Sequence, residues 1–343
     1  MSVNETLANE ANLLLYGSMA SYAGAFLAYA TDLAGGAARA ERRREREAEA
    51  APSPDRECQL AGVGGGTPSG RGPVADPSGI VPPSVGPERE RRKAAGIGTS
   101  LTILSLLLHG GSVVLRGIAV QRPPWGNMFE FSTAGAVVVT LVFLLALRWR
   151  DLRYLGAFVV GPVLLTLGLS ITVLYARAGQ LVPALKSYWL AIHVSVAFIA
   201  SAMLTLAFSL TVLYLAQDRR ERRRAAGQPV SKAFMDALPP ARELDLAAYR
   251  LHAIAFPLWT FTLVAGAIWA ESAWGTYWSW DPKEVWTFVI WVVYAGYLHA
   301  RATGGWQGRK AANIALVGFA CLLFNFLVVN IFFVGWHSYA GVG

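Results

Sequence analysis

Between Phe131 and Leu147 the chain carries no charged side chain, and seven further stretches are long and strongly apolar. Crossing the roughly 30 Å hydrocarbon core of a bilayer takes about 20 such residues in a helix. Inside lipid every backbone N–H and C=O must be satisfied within the protein, which favours helices for runs of this length. The fold class that follows is all-α, a polytopic membrane helical bundle of about eight transmembrane helices. The spans fall at residues 12–33, 96–119, 131–147, 154–175, 189–215, 252–271, 285–299 and 311–334. A hydrophobic content of 54% and a mean hydropathy of +0.40 are too high for an ordinary soluble domain.

Charge orients the spans. Alternate loops, at 39–93, 148–153, 219–250 and 301–310, hold 25 of the 30 Lys and Arg. The positive-inside rule places that set in the cytoplasm of a cell-membrane protein. Both termini then face the extracytoplasmic side. The net charge of +8 therefore reports topology, and no nucleic-acid partner is expected. The N-terminus has no basic stretch before its first apolar run, so a cleavable signal is not expected. Residues 1–33 form the first transmembrane helix. Residues 34–95 begin with ERRRERE and pass into Pro, Gly and Ser, which reads as a disordered basic cytoplasmic loop with a short charged helix near Arg42. Residues 96–343 form the main domain. Cys58 and Cys321 do not suggest a disulfide framework, and no CxxCH occurs, so the chain is not itself a c-type cytochrome.

The functional signal is concentrated in the external loop 272–286, between the sixth and seventh spans. Its core, WGTYWSWDPKEVW, packs Trp274, Trp278, Trp280 and Trp286 together with Tyr277 into thirteen residues. Interfacial Trp and Tyr are common in membrane proteins, but they are usually scattered. Clustered rings offer flat walls to a flat, apolar ligand, and Asp281, Lys283 and Glu284 could satisfy its polar edge. In the DPKE segment Asp281 also suits a helix N-cap followed by Pro at the first helical position.

Position sorts the five histidines. His193 and His337 lie near the outer face, at the depth of the Trp loop. Two neutral imidazoles there could ligate a planar metal complex such as haem from opposite sides. Zinc, held by three or more converging ligands, is the competing reading, and the outer face has no Cys for it. His299 lies thirteen residues beyond Trp286, roughly 20 Å along a helix and toward the inner face. An ionisable group at that depth is a functional candidate. His252 reads as interfacial and His109 as a packing residue.

The segment WGTYWSWDPKEVW resembles the tryptophan-rich WWD motif of haem-handling membrane proteins. FVIWVVYAGYLHAR, KSYWLAIHV and GWHSYAGVG resemble the CcsA/ResC branch, also called CcsB in some bacteria. The resemblance covers residues 96–343 and the first span. It implies that His193 and His337 ligate haem b iron at an external site. Trp274, Gly275, Tyr277, Trp278, Trp280, Asp281, Lys283, Glu284 and Trp286 would form the cofactor-binding loop, with Lys283 toward a propionate. His299 would be a haem ligand at an inner entry site, its second ligand supplied by a CcsB/ResB-type partner. PPWGNMFEF resembles a short Asn–aromatic–Glu loop with a structural role. The insertion at about 40–95 departs from the compact family pattern.

The activity implied is that of a system II cytochrome c haem lyase, working as a complex with that partner. It would move haem outward and present it for thioether attachment to CxxCH of apocytochrome c. A thiol-reducing thioredoxin-like protein is a further implied partner. The alternatives are a haem exporter or chaperone serving a separate ligase, a b-type electron carrier, and a transporter with an aromatic gate.

Overall fold

The computed structural model describes residues 4–50, 92–179, 181, 185–230, 234–303 and 305–337, with side chains for all except 37–50, 234 and 237. Among these residues the secondary structure is entirely helical. Eight principal helices follow one another: α1 (Glu5–Ala50), α2 (Lys93–Val120), α3 (Met128–Trp149), α4 (Gly156–Thr172), α5 (Tyr188–Ala225), α6 (Ala241–Trp274), α7 (Pro282–Thr303) and α8 (Arg309–Leu323). Beyond Leu323 the backbone widens into a π-helical turn, Phe324–Val329, before a last short turn to Phe332.

Seven helices, all but α7, are long and apolar enough to cross a membrane. The protein is therefore a multi-pass membrane bundle. Helix α7 has the same 22 residues as α3, but its Trp, Tyr, His and charged side chains lower its hydropathy. It nevertheless spans the depth of α8. Lys283 in its first turn bonds to Asn325 and Asn330 at the far end of that helix, and Tyr297 near its end packs on Ala311 and Ala315 at the start of α8.

The helix ends differ from expectation where the sequence is polar. Helix α1 continues through residues 34–50, which the sequence placed in a disordered loop, and α2 begins at Lys93. Ala, Glu and Arg are strong helix formers, so the charged run propagates the helix once the apolar span has nucleated it. Residues 51–91 of the expected loop lie outside the described residues. The basic segment after the fifth span is also largely helical. There α5 runs on to Ala225, and Arg220 pairs with Asp236 at 2.7 Å.

Small residues let the helices approach closely. Tyr29 is fully buried between α2 and α4, and a Cβ on Gly98 or Gly156 would meet its ring at 3.0 and 2.5 Å. Around it Tyr22, Phe143, Leu155, Leu167, Leu206 and Leu210 form the largest apolar core. A second core joins α5 to α8 through Leu204, Trp259, Ile290, Tyr294 and Phe319. A third is built around Leu190, Val194 and Phe198.

Contacts at one end of the bundle show that the helices alternate in direction. Asn4 N donates to Ala119 O, joining the start of α1 to the end of α2. Arg116 near that end pairs with Glu130 at the start of α3. Asn330, past α8, donates to Met128 Sδ at 3.2 Å. Both Asn4 and Asn330 thus stand at the same end of the bundle, and the loop between α6 and α7 lies there too.

The loop leading into α3 is locked by charge. Glu130 is fully buried and accepts from Arg116 at 3.1 Å, Arg122 at 2.8 Å and Gly126 N at 2.9 Å. Asn127 Oδ1 caps the helix by accepting from Glu130 N at 2.9 Å. The two arginines also donate to Ala176 O and Gly179 O, tying this loop to the one after α4. These contacts fit the structural role expected for PPWGNMFEF.

Candidate functional site

The segment WSWDPKE forms its own capping structure. Helix α6 ends at Trp274, and Gly275 takes the left-handed backbone, φ 76°, that a side chain would strain. The chain then crosses to α7, whose N-cap is Asp281. Its Oδ1 accepts from Lys283 N at 2.9 Å. Glu284 reaches back to accept from Asp281 N at 3.2 Å and Ser279 N at 2.8 Å. This is a capping box with Pro282 at the first helical position. Trp280, just before the cap, also has a left-handed backbone, φ 59°, and is 77% exposed.

The cap also holds the chain beyond α8. Asp281 Oδ1 lies 2.9 Å from His337 Nδ1, while Oδ2 accepts from Trp336 N at 2.6 Å. A Cβ on Gly335 would collide with the same carboxylate. Burial alone would raise the Asp281 carboxyl; the His337 contact and the two backbone N–H groups outweigh it and hold the group below its usual range. An ionised Asp281 accepts only, so His337 donates through Nδ1–H, and Nε2 is the ring nitrogen that this contact leaves uncommitted. The ring of Trp274 stands edge-on to His337, with centroids 4.8 Å apart.

His193, in the first two turns of α5, faces the same region. Its ring stands against Trp269 at 5.6 Å and crosses the backbone of α6 at Gly266. Any larger residue there would intrude, because an added Cβ would lie 2.9 Å from His193 Cε1. His193 Nδ1 is buried without a hydrogen-bond partner.

Between these elements is a cavity of about 220 Å³. His193 and His337 both line it, as do Trp274, Tyr277, Trp278, Lys283 and Glu284 from the Trp loop. The other predicted site residues lie elsewhere. Gly275 and Asp281 shape the loop from behind. Trp280 projects outward beside Trp278 at 5.7 Å, and Trp286 packs on Phe324 at 4.2 Å. His299 is exposed on α7 toward the opposite end of the bundle. His252 is fully buried there, donating Nδ1–H to Ala248 O at 2.8 Å and lying against Tyr294 and Tyr297. His109 is buried in the first core beside Tyr22.

Several lining residues carried no clear individual signal. Trp125 comes from the loop before α3, Met128 and Phe131 from its first turn, and Trp259 and Trp269 from within α6. Asn325 and Asn330, also in the wall, were detectable as amides inside an apolar span. Among the described residues no three His, Cys, Asp or Glu side chains converge as a metal-ion site. The donor set is two imidazoles on an aromatic cavity, which suits a planar metal complex.

The family model for cytochrome C assembly protein matches residues 125–337, which include the cavity's two histidines and the whole Trp loop. Cytochrome c biogenesis protein CcsA from Synechococcus sp. (strain JA-3-3Ab) is 34% identical over 295 residues, spanning 72% of this chain and 84% of the relative. Proteins of the same name from Gloeobacter violaceus and Guillardia theta are 33% and 35% identical, with 86% and 85% of their lengths covered. Among solved structures, cytochrome c heme lyase CcmF shares the fold, with a TM-score of 0.60 over 99% of this chain and 50% of its own, at 16% identity. The chain belongs to the cytochrome c assembly protein family, as a CcsA-type cytochrome c biogenesis protein.

Proposed function

We propose that the chain is the haem-binding membrane subunit of a system II cytochrome c synthase. It moves haem outward and presents it on the extracytoplasmic side for thioether attachment to the CxxCH cysteines of apocytochrome c. The observation that carries this reading is the pair His193 and His337 on one aromatic-walled cavity, with His337 Nδ1 committed to Asp281.

The residues fit the group. A histidine that gives one ring N–H to a carboxylate has its tautomer and orientation fixed and its other nitrogen made more basic, the usual setting of a metal-bound imidazole. His193 lines the same cavity from α5. Both would hold haem iron. When bound, haem b supplies that iron and the two vinyl groups to which the substrate thiols add. The chain's contribution is position. His193 and His337 would hold and orient the group, Trp274, Tyr277 and Trp278 would wall the cavity and exclude water, and the capping box keeps the loop in register.

The excess of Lys and Arg in the loops of the opposite bundle end supports an extracytoplasmic cavity. His299 points away from this chain's core, toward that opposite end. This supports an inner haem site completed by a CcsB/ResB-type partner. A thioredoxin-like reductant would keep the substrate thiols reduced. The b-type carrier reading wants paired histidines at two depths, and His252 is instead engaged with Ala248 and two tyrosines. An exporter serving a separate ligase shares the same haem site and differs only in where the bond forms.

The test is a reduced-minus-oxidised spectrum of the purified chain. Wild type should give a six-coordinate, bis-histidine haem signal, and His193→Ala or His337→Ala should lose that coordination. A wild type with no haem signal after reconstitution would end the proposal.

A further inference from the structure

The chain entering α3 supplies a wall of the cavity that is separate in sequence from the Trp loop and from both histidines. Trp125, Met128 and Phe131 line it. Phe131 stands between α5 and the end of α8, its ring centroid 4.6 Å from Phe198 and 5.8 Å from Phe326. Met128 Sδ accepts from Asn330 Nδ2 at 3.2 Å. The start of α3 therefore bridges α5 and the end of α8. Trp125 joins the same wall, its ring edge-on to Phe198 with centroids 5.7 Å apart.

This wall is fixed by charge. Gly126, next to Trp125, gives its N–H to Glu130 Oε2 at 2.9 Å. Glu130 is fully buried and ion-paired to both Arg116 and Arg122. A Cβ on Gly126 would lie 3.1 Å from the Arg122 guanidinium, so a side chain there would push on a group that holds Glu130. Burying three charged side chains is costly. What it secures is one arrangement of the chain at Trp125 and Gly126. Met128 and Phe129 are buried, whereas Trp125 is only partly covered by the protein. An indole held in one place and partly uncovered on an apolar cavity is a contact surface for a flat ligand.

We infer that Trp125 is a binding residue for the ligand of His193 and His337, its indole a wall against the macrocycle, and that the Glu130 ion pairs hold it in that place. The inference rests on the haem reading above and adds to it a contact from outside the Trp loop. It gives PPWGNMFEF a part in binding as well as in the frame. The contact depends on a flat ring: an aromatic side chain at position 125 keeps it, and an aliphatic one does not.

The experiment titrates the purified full chain and its Trp125→Phe and Trp125→Leu variants with iron protoporphyrin IX, and follows thermal unfolding of each without and with the porphyrin. Without it all three should melt together. Trp125→Leu should bind the porphyrin about tenfold more weakly than wild type, near the upper end for one aromatic contact, and should gain correspondingly less thermal stabilisation from it. Trp125→Phe should stay within about threefold of wild type, as a smaller ring in the same place. All three should give the same bis-histidine spectrum, because neither histidine has moved. Wild-type affinity in Trp125→Leu, or equal affinity in the Phe and Leu variants, would overturn the contact. A Trp125→Leu chain that does not fold, or that melts below wild type before porphyrin is added, would make Trp125 part of the frame alone and overturn it as well. Both results would leave the haem site standing. Failure of wild type to bind the porphyrin would overturn the haem reading, and this inference with it.

Discussion

Asp281 Oδ1 and His337 Nδ1 lie 2.9 Å apart, although the two residues are 56 positions apart in the chain. The contact joins the Trp loop to the segment beyond α8, and one carboxylate both caps α7 and orients a candidate ligand. The two roles can be separated. Asn is as good an N-cap as Asp, so Asp281→Asn should leave the helix start intact. It should still weaken haem binding by about tenfold, the lower end for a lost outer partner of a metal ligand. Asp281→Ala should lose the cap as well, at about 1 kcal/mol. Haem titration together with thermal unfolding in detergent checks both, and equal haem affinity in Asp281→Asn and wild type would remove the orienting role.

Gly266 sets how closely α6 approaches His193. Gly266→Ala should displace the imidazole, since the new Cβ would lie 2.9 Å from Cε1. The expected result is reduced haem occupancy with a stability cost of about 1–3 kcal/mol, typical of overpacking. Absorbance of the purified variant against its helical melting curve separates the two effects.

Glu130 serves the frame of the cavity. Removing it leaves Arg116 and Arg122 without their shared carboxylate, and Arg116 is itself only 4% exposed. Glu130→Ala should destabilise the protein by about 3–5 kcal/mol, as breaking a buried pair from one side does. The thermal unfolding midpoint should fall, and haem loss should follow from the displaced loop rather than from a missing ligand.

His299 tests the transfer route. His299→Ala should lower haem content at the external cavity when haem must enter from within the cell, and added haem should restore it. A purified His299→Ala variant with full haem and none added would contradict a waypoint at this residue.

The spans were legible because lipid allows few solutions. Apolar runs such as 131–147 had to become helices, and their order had to alternate. A short charged helix near Arg42 was legible, but its continuity with the first span was not, because the Ala, Glu and Arg between them propagate a helix already begun. In the site, the Trp loop stood out because its rings cluster in sequence. His193, Trp274 and His337 do meet at one cavity, but Trp280 and Trp286, equally conspicuous in sequence, turn outward or into packing. That division depends on the αL turn at Trp280 and the capping box, which spacing does not reveal. The wall from Trp125 to Phe131 required long-range contacts that no local pattern encodes, whereas Asn325 and Asn330 stood out as amides in an apolar span without showing which residue they meet.

The central claim is best tested by co-expressing the chain with a CcsB/ResB-type partner and a reporter apocytochrome carrying CxxCH, in a host lacking its own maturation system. Haem that survives denaturation on the reporter is the readout, for wild type and His337→Ala. The account predicts covalent haem with wild type and little or none with His337→Ala. Covalent attachment that is undiminished in His337→Ala, or absent in wild type while haem still co-purifies with the chain, would contradict it.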